Sequence, residues 1–193
     1  MKKFVAVAIC AVLILSCSLC SAAGKTGILI IAPAQFKTQD FLKIANENFG
    51  KDYIVSQKTQ DAWATYCWDK GFVDSDPTIS KEILANFVET TYFDNVIFIM
   101  FKNAETTLED EGVNYSASPF FGGILGNAKR KIRRRSVIEA RVVVMNHLGE
   151  TVKIFEESHT DASMASELRA NRGAFNGLCK SISNRLNEKN SAK

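Results

Sequence analysis

The chain has 193 residues, with 24 Lys and Arg against 21 Asp and Glu, a formal net charge of +3. That length suits one folded domain with a sizeable core. A total so near neutrality excludes a surface that is basic throughout, and with it a chain devoted to nucleic acid.

The first 23 residues have the three-part layout of a secretory signal. Lys2 and Lys3 are a short positive region, residues 4–15 are apolar, and Ser21, Ala22 and Ala23 are small. The apolar run falls short of the roughly 20 residues that a spanning helix needs. A second cut is open: Ile14, Leu15, Ser16 and Cys17 resemble a bacterial lipoprotein box, in which Cys17 becomes the lipidated first residue. On either cut the protein leaves a bacterial cytoplasm. It is then periplasmic or lipid-anchored at the envelope, and residues 24–193 form a single α/β domain. Export argues further against a nucleic-acid partner.

Residues 27–33, "GILIIAP", are a continuous apolar run ended by proline and read as a strand buried on both faces. The next segment, "KTQDFLKIANENFG", predicts a helix with Thr38 as cap, Phe41, Ile44, Ala45 and Phe49 near one face, and Gly50 as stop. "DYIVSQ" is a short second strand. "TQDAWATYCWDKG" sets Trp63, Tyr66 and Cys67 on one helical face and stops at Gly71. A third helix is expected from Asp76 as cap and Pro77 at the first helical position, with Ile79, Ile83, Leu84, Phe87 and Val88 as its stripe. Residues 94–102, "DNVIFIMFK", predict a central strand.

Residues 103–135 show no sustained period and read as an irregular excursion. A hairpin follows, in which Ile138, Ala140, Val142 and Val144 alternate with Glu139, Arg141 and Val143, and Gly149 supplies a positive-φ turn position. A final helix over 163–187 carries Met164, Leu168, Phe175, Leu178, Cys179, Ile182 and Leu186 on its apolar face. The order β-α-β-α-α-β-(excursion)-β-β-α predicts a single mixed sheet of about five strands with helices packed on it, an α/β (α+β mixed) fold.

Three of the five cysteines lie in the leader, which leaves Cys67 and Cys179. In an exported protein they form either one disulfide or two buried free thiols. No cofactor or metal site is expected. No G-x-S-x-G, H-E-x-x-H, P-loop or paired C-x-x-C is present. His147 beside the hairpin turn and His159 after it read as solvated surface. Glu109, Asp110 and Glu111 lack the alternating spacing of a calcium loop and read as an acidic turn. Glu156 and Glu157 are neighbours on a strand and point to opposite faces, so they are not a paired acid and base.

The excursion holds the densest charge. It runs from the acids at 109–111, through an apolar tip with Phe120, Phe121, Ile124 and Leu125, to a block of Lys129, Arg130, Lys131, Arg133, Arg134 and Arg135. Six of the seven residues in that block are basic. Apolar groups beside a basic cluster suit an anionic membrane, and arginines also pair well with acidic protein surfaces. A solvated loop, or pairing with the acids at 109–111, accounts for the same residues without a partner.

The opening strand, the "DNVIFIMF" strand, the "EARVVVMNHLGETVKIFEES" hairpin and the long closing helix resemble the small α/β domains of bacterial envelope lipoproteins. Examples are the TolB amino-terminal domain and the curli-secretion pore lipoprotein family. The resemblance covers about residues 25–188 and implies an envelope assembly or transport-accessory role without catalysis. Pore members insert membrane-spanning hairpins in such domains, and 103–135 does not read as two alternating strands of that length. The expected function is that of a non-enzymatic envelope factor working through surface contacts at 120–135. Its partner would be an envelope protein, an anionic membrane or a second copy of itself. The alternative is an exported ligand-binding or enzymatic domain with a cleft at the carboxyl ends of its strands.

Overall fold

The computed structural model describes residues 25–116 and 127–188. The leader with Cys17, and the tip with Phe120, Phe121, Ile124 and Leu125, lie outside the described residues. Five strands form one sheet in the order β2-β1-β3-β4-β5. They are β1 (Thr26–Ile31), β2 (Tyr53–Ile54), β3 (Asn95–Ser116), β4 (Asn127–Asn146) and β5 (Thr151–Ser163). β1 runs parallel to β2 and β3, while β3–β4 and β4–β5 are antiparallel. The helices are α1 (Gln39–Phe49), α2 (Gln57–Lys70), α3 (Lys81–Glu89) and α4 (Glu167–Asn187). This is the mixed one-sheet fold predicted above, with β3 central.

The apolar runs of β1 and β3 are continuous because both faces are covered. Ile28, Ile30, Ile97 and Ile99 pack under α1 and α4 with Phe41, Ala45, Phe175 and Leu178. Leu29, Ile31, Val96, Phe98 and Met100 pack under α2 and α3 with Trp63, Leu84, Phe87 and Val88. Cys179 belongs to the first layer and Cys67 to the second, so the sheet stands between them. Of the two cysteine readings, the structure has the second: both thiols are free and buried. Burial pushes the Cys67 thiol up to about 11, with Asp74 adding to the rise, and burial raises Cys179 as well. Neither should alkylate in the folded protein at pH 8, and both should alkylate in urea without reductant. Peptide mass mapping would show this; a linked Cys67–Cys179 peptide would contradict it.

β2 is only two residues long and pairs with Thr26 and Gly27 alone. Further along β1, Gln60 of α2 takes the place of the missing strand. The Ile30 amide donates to Gln60 Oε1 at 3.1 Å, and Gln60 Nε2 donates to the Ile28 carbonyl at 3.2 Å. A buried sheet edge thus keeps its backbone groups satisfied through one side chain.

Three boundaries differ from expectation. α3 starts at Lys81 after Ser80, because the Asp76 carboxylate instead closes a local turn, accepting from the Thr78 hydroxyl and amide at 2.7 Å each. Those two bonds hold the Asp76 carboxyl below its ordinary range. α4 starts at Glu167, capped by Ser166 Oγ accepting from the Arg169 amide at 3.1 Å, and Ser163 still belongs to β5. The largest change concerns 103–135. Residues 103–116 and 127–135 are not irregular; they are the outer parts of β3 and β4. The Gly149 turn forms as expected, with φ +71°.

Candidate contact surface

β1 ends opposite Met100, and β5 ends opposite Arg134. β3 and β4 run on together past both, with Tyr115 opposite Ala128 and Ser116 opposite Asn127. The result is a two-stranded ribbon that leaves the body of the sheet. The sequence hides it because a ribbon outside the core has no buried face to impose alternation. β3 carries two extra residues' worth of irregularity there, at Phe101/Asn103 and Asp110/Val113, and Gly112 takes φ +81° in the second bulge.

The root of the ribbon is pinned by α4. Asn171 Oδ1 accepts from Thr106 Oγ1 at 2.9 Å and from Ser136 Oγ at 2.6 Å, one hydroxyl from each strand. Ser136 is almost fully buried and Asn171 nearly so. One helical turn earlier, Leu168 continues the stripe of α4, but the sheet beneath it has narrowed to the ribbon. Leu168 is therefore exposed, and so is Met164, which lies in the bend before α4, both against the expectation that they join the core; Leu108 and Ile132 are exposed as well. The strand pairing sets Leu108 opposite Arg134, and Asp110 opposite Ile132.

The basic block is one strand of this ribbon, and the acidic cluster lies on the other. Glu109 is opposite Arg133, and its carboxylate accepts from Arg135 at 3.1 Å. Asp110 accepts from the Gly112 amide at 3.1 Å. The acids at 109–111 are thus part of a bulged strand and not a turn. The in-chain pairing offsets one of the block's six positive charges. Both ion-pair partners are half exposed, so the contact adds little stability. Neighbours on a strand face opposite ways, so Glu109 with Asp110, and Arg133 with Arg134, put charge on both faces of the ribbon. Among the described residues β4 extends beyond β5 only over 127–133, short of the roughly 9–11 residues of a spanning strand, and this part of the ribbon is too rich in charge to give the apolar face that lipid requires.

The other candidate residues lie elsewhere in the fold. His147 lies in the β4–β5 turn. His159 stands against α4, where a Cβ on Gly177 would come within 2.0 Å of its Nε2. Glu157 accepts from Ser181 at 2.8 Å and from Arg185 at 3.1 Å, while Glu156 pairs with Lys102 at 2.9 Å on the opposite face. The carboxyl end of β1 is filled by Phe36, Phe41, Phe101 and Phe175, all buried, with ring centroids 5.1–6.4 Å apart. Beside them Lys37 closes on Asp74 at 2.6 Å, and Trp63 Nε1 donates to the Asp74 carbonyl at 2.9 Å. An open groove of about 600 Å³ remains beside them, lined by Gln39, Asp40, Lys43, Asn46 and Glu47 of α1 with Val55 and Gln57 after β2. A well of about 140 Å³ lined by Tyr66, Phe87, Tyr92 and Phe93 sits near the opposite end of β1, where Phe93 covers Gly27.

No family model matches the chain, and no curated protein matches it. Two solved structures are similar in outline. Lipoprotein GNA1162 from Neisseria meningitidis is 12% identical over 85% of this chain and 99% of its own, with a TM-score of 0.41. A minor lipoprotein from Acinetobacter baumannii is 12% identical over 85% of this chain and 92% of its own, with a TM-score of 0.34. At these values the likeness is one of outline and does not reach to any site.

Proposed function

We propose that the chain is an exported envelope protein that acts by surface contact and not by catalysis, with the β3–β4 ribbon as its contact element. The observation that carries this reading is the ribbon itself. It outruns both neighbouring strands, presents Leu108 and Ile132 to solvent beside Arg133, Arg134 and Arg135, and is held at its root by a buried polar clasp. The envelope location is supported by the layout of residues 1–23, with Cys17 as the lipid-anchored option. The buried rings at the end of β1 and the open form of the groove beside them favour this reading over a domain built around a deep cleft.

The test replaces Lys129, Arg130, Lys131, Arg133, Arg134 and Arg135 with glutamine. Thermal unfolding of the variant should stay close to that of the parent, because the block lies largely outside the core. Cosedimentation with anionic vesicles, or recovery of a copurifying envelope protein, should fall by about tenfold or more. A variant that keeps both interactions at parental strength would overturn the proposal.

A further inference from the structure

We propose that the outer edge of β4 over residues 127–133 is a docking edge for an acidic, extended segment of a partner protein, which joins the sheet as a strand beyond the end of β5. The inference rests on the ribbon being the contact element, and it names the chemistry of the partner.

Three observations lead there. First, β5 stops opposite Arg134 while β4 continues to Asn127, so among the described residues no strand lies beside the outer edge of 127–133. An edge of this kind presents backbone amides and carbonyls that an extended peptide can pair with. Second, the two edges of the ribbon differ. The register advances three residues on β3 for two on β4 between Asp110 and Val113, and two for one between Phe101 and Asn103. Both bulges therefore sit on β3 and interrupt its edge, as edge-blunting bulges do. β4 runs through 127–133 without an extra residue. Third, the strand with that uninterrupted edge includes Lys129, Arg130, Lys131 and Arg133 in its sequence, while the acids at 109–111 belong to the other strand. A strand added to β4 meets the basic side of the ribbon, and complementarity calls for a segment rich in Asp and Glu.

The direction of the ribbon agrees with a partner held away from an N-terminal anchor. β1 starts at Thr26 opposite Asn95, and β3 runs parallel to it toward Ser116. The described chain thus begins at one end of the sheet and the ribbon extends from the other.

The probe is a fluorescein-labelled peptide of alternating glutamate and threonine, titrated into the full chain and read by anisotropy. Three comparisons accompany it: the same peptide N-methylated at alternate residues, a lysine–threonine peptide, and the parent peptide with the variant Lys129→Gln, Arg130→Gln, Lys131→Gln, Arg133→Gln. The acidic peptide should bind. N-methylation should weaken binding by about tenfold, because it removes backbone donors without changing charge, and the glutamine variant should weaken it similarly. Equal binding of the methylated and unmethylated peptides would overturn strand addition and leave a simple charge contact. Binding of anionic vesicles without binding of the peptide would overturn the acidic partner while sparing the contact role of the ribbon. Concentration-dependent self-association that the glutamine variant abolishes would make the occupant a second copy and overturn the proposal. Binding of none of these would overturn both the docking edge and the contact role.

Discussion

Replacing Gln60 with leucine is expected to lower the unfolding free energy by about 3 kcal/mol. The side chain is almost fully buried and serves two backbone groups of β1, the Ile30 amide and the Ile28 carbonyl. Leucine fills similar space but leaves both without a partner, and each orphaned buried group costs about 1–3 kcal/mol. Urea unfolding followed by far-UV circular dichroism would show the loss as a lower midpoint. Gln60→Glu gives a sharper comparison. One carboxylate oxygen can still accept from Ile30, but the other faces the Ile28 carbonyl and can satisfy it only when protonated. Burial and that contact raise the carboxyl's pKa in the folded state above its unfolded value. The folded state then binds the proton more tightly, so the stability of the variant is fully present below about pH 4 and is lost as pH rises through the folded value. A leucine variant as stable as the parent would show that this edge needs no partner.

Truncating Phe175 should be more damaging, at about 3–5 kcal/mol for Phe175→Ala. Its ring lies 5.3 Å from Phe41, 6.1 Å from Phe101 and 6.4 Å from Phe36, so it joins α4, α1 and the central strand in one cluster. Removing it leaves a cavity that three rigid rings on separate elements cannot easily close. Trp68 is the control: it is larger but 84% exposed, and Trp68→Ala should change stability by no more than about 0.5 kcal/mol. Parallel denaturation curves for the two variants would decide the matter. Similar losses from both would mean that the filled strand end is not the packing centre described above.

Much of the body of the fold was legible because its signals are those of burial. A strand covered on both faces is apolar without interruption, and 27–33 and 94–102 show this. The stripe of α4 is visible from Phe175 to Ile182, and the turn at Gly149 needs a residue tolerant of positive φ. The misses have the opposite character. Residues 103–135 lacked a period because the ribbon, where its side chains are described beyond the clasp, has no buried face, as at Leu108 and Ile132. Its charge, read as a loop's, belongs to two strands facing each other. Leu168 continues the helical period past the point where the sheet can cover it, and Met164 lies in the bend before α4 begins. Gln60 and Asn171 look like ordinary polar helix residues, and only the placement of β1, β3 and β4 beneath them reveals what they bond. Cys67 and Cys179 each sit on an apolar helical face, but a helix on either side of a sheet gives the same pattern, so spacing alone could not separate a bridge from two isolated thiols.

The central claim is that the basic block is a strand of an ordered ribbon pointing away from the place where the chain joins the sheet. Nitroxides attached through ketone-bearing side chains at positions 25 and 132 would test it by pulsed electron spin resonance. From Ile132 to Asn146, which lies opposite Asn95 and so beside the start of β1, fourteen residues of extended strand give a separation of about 45 Å at about 3.3 Å each. A single narrow distribution near that distance is the expected result. A broad distribution centred at markedly shorter distances would mean that 103–135 folds back on the domain as an irregular loop, and would contradict the ribbon and the contact role built on it.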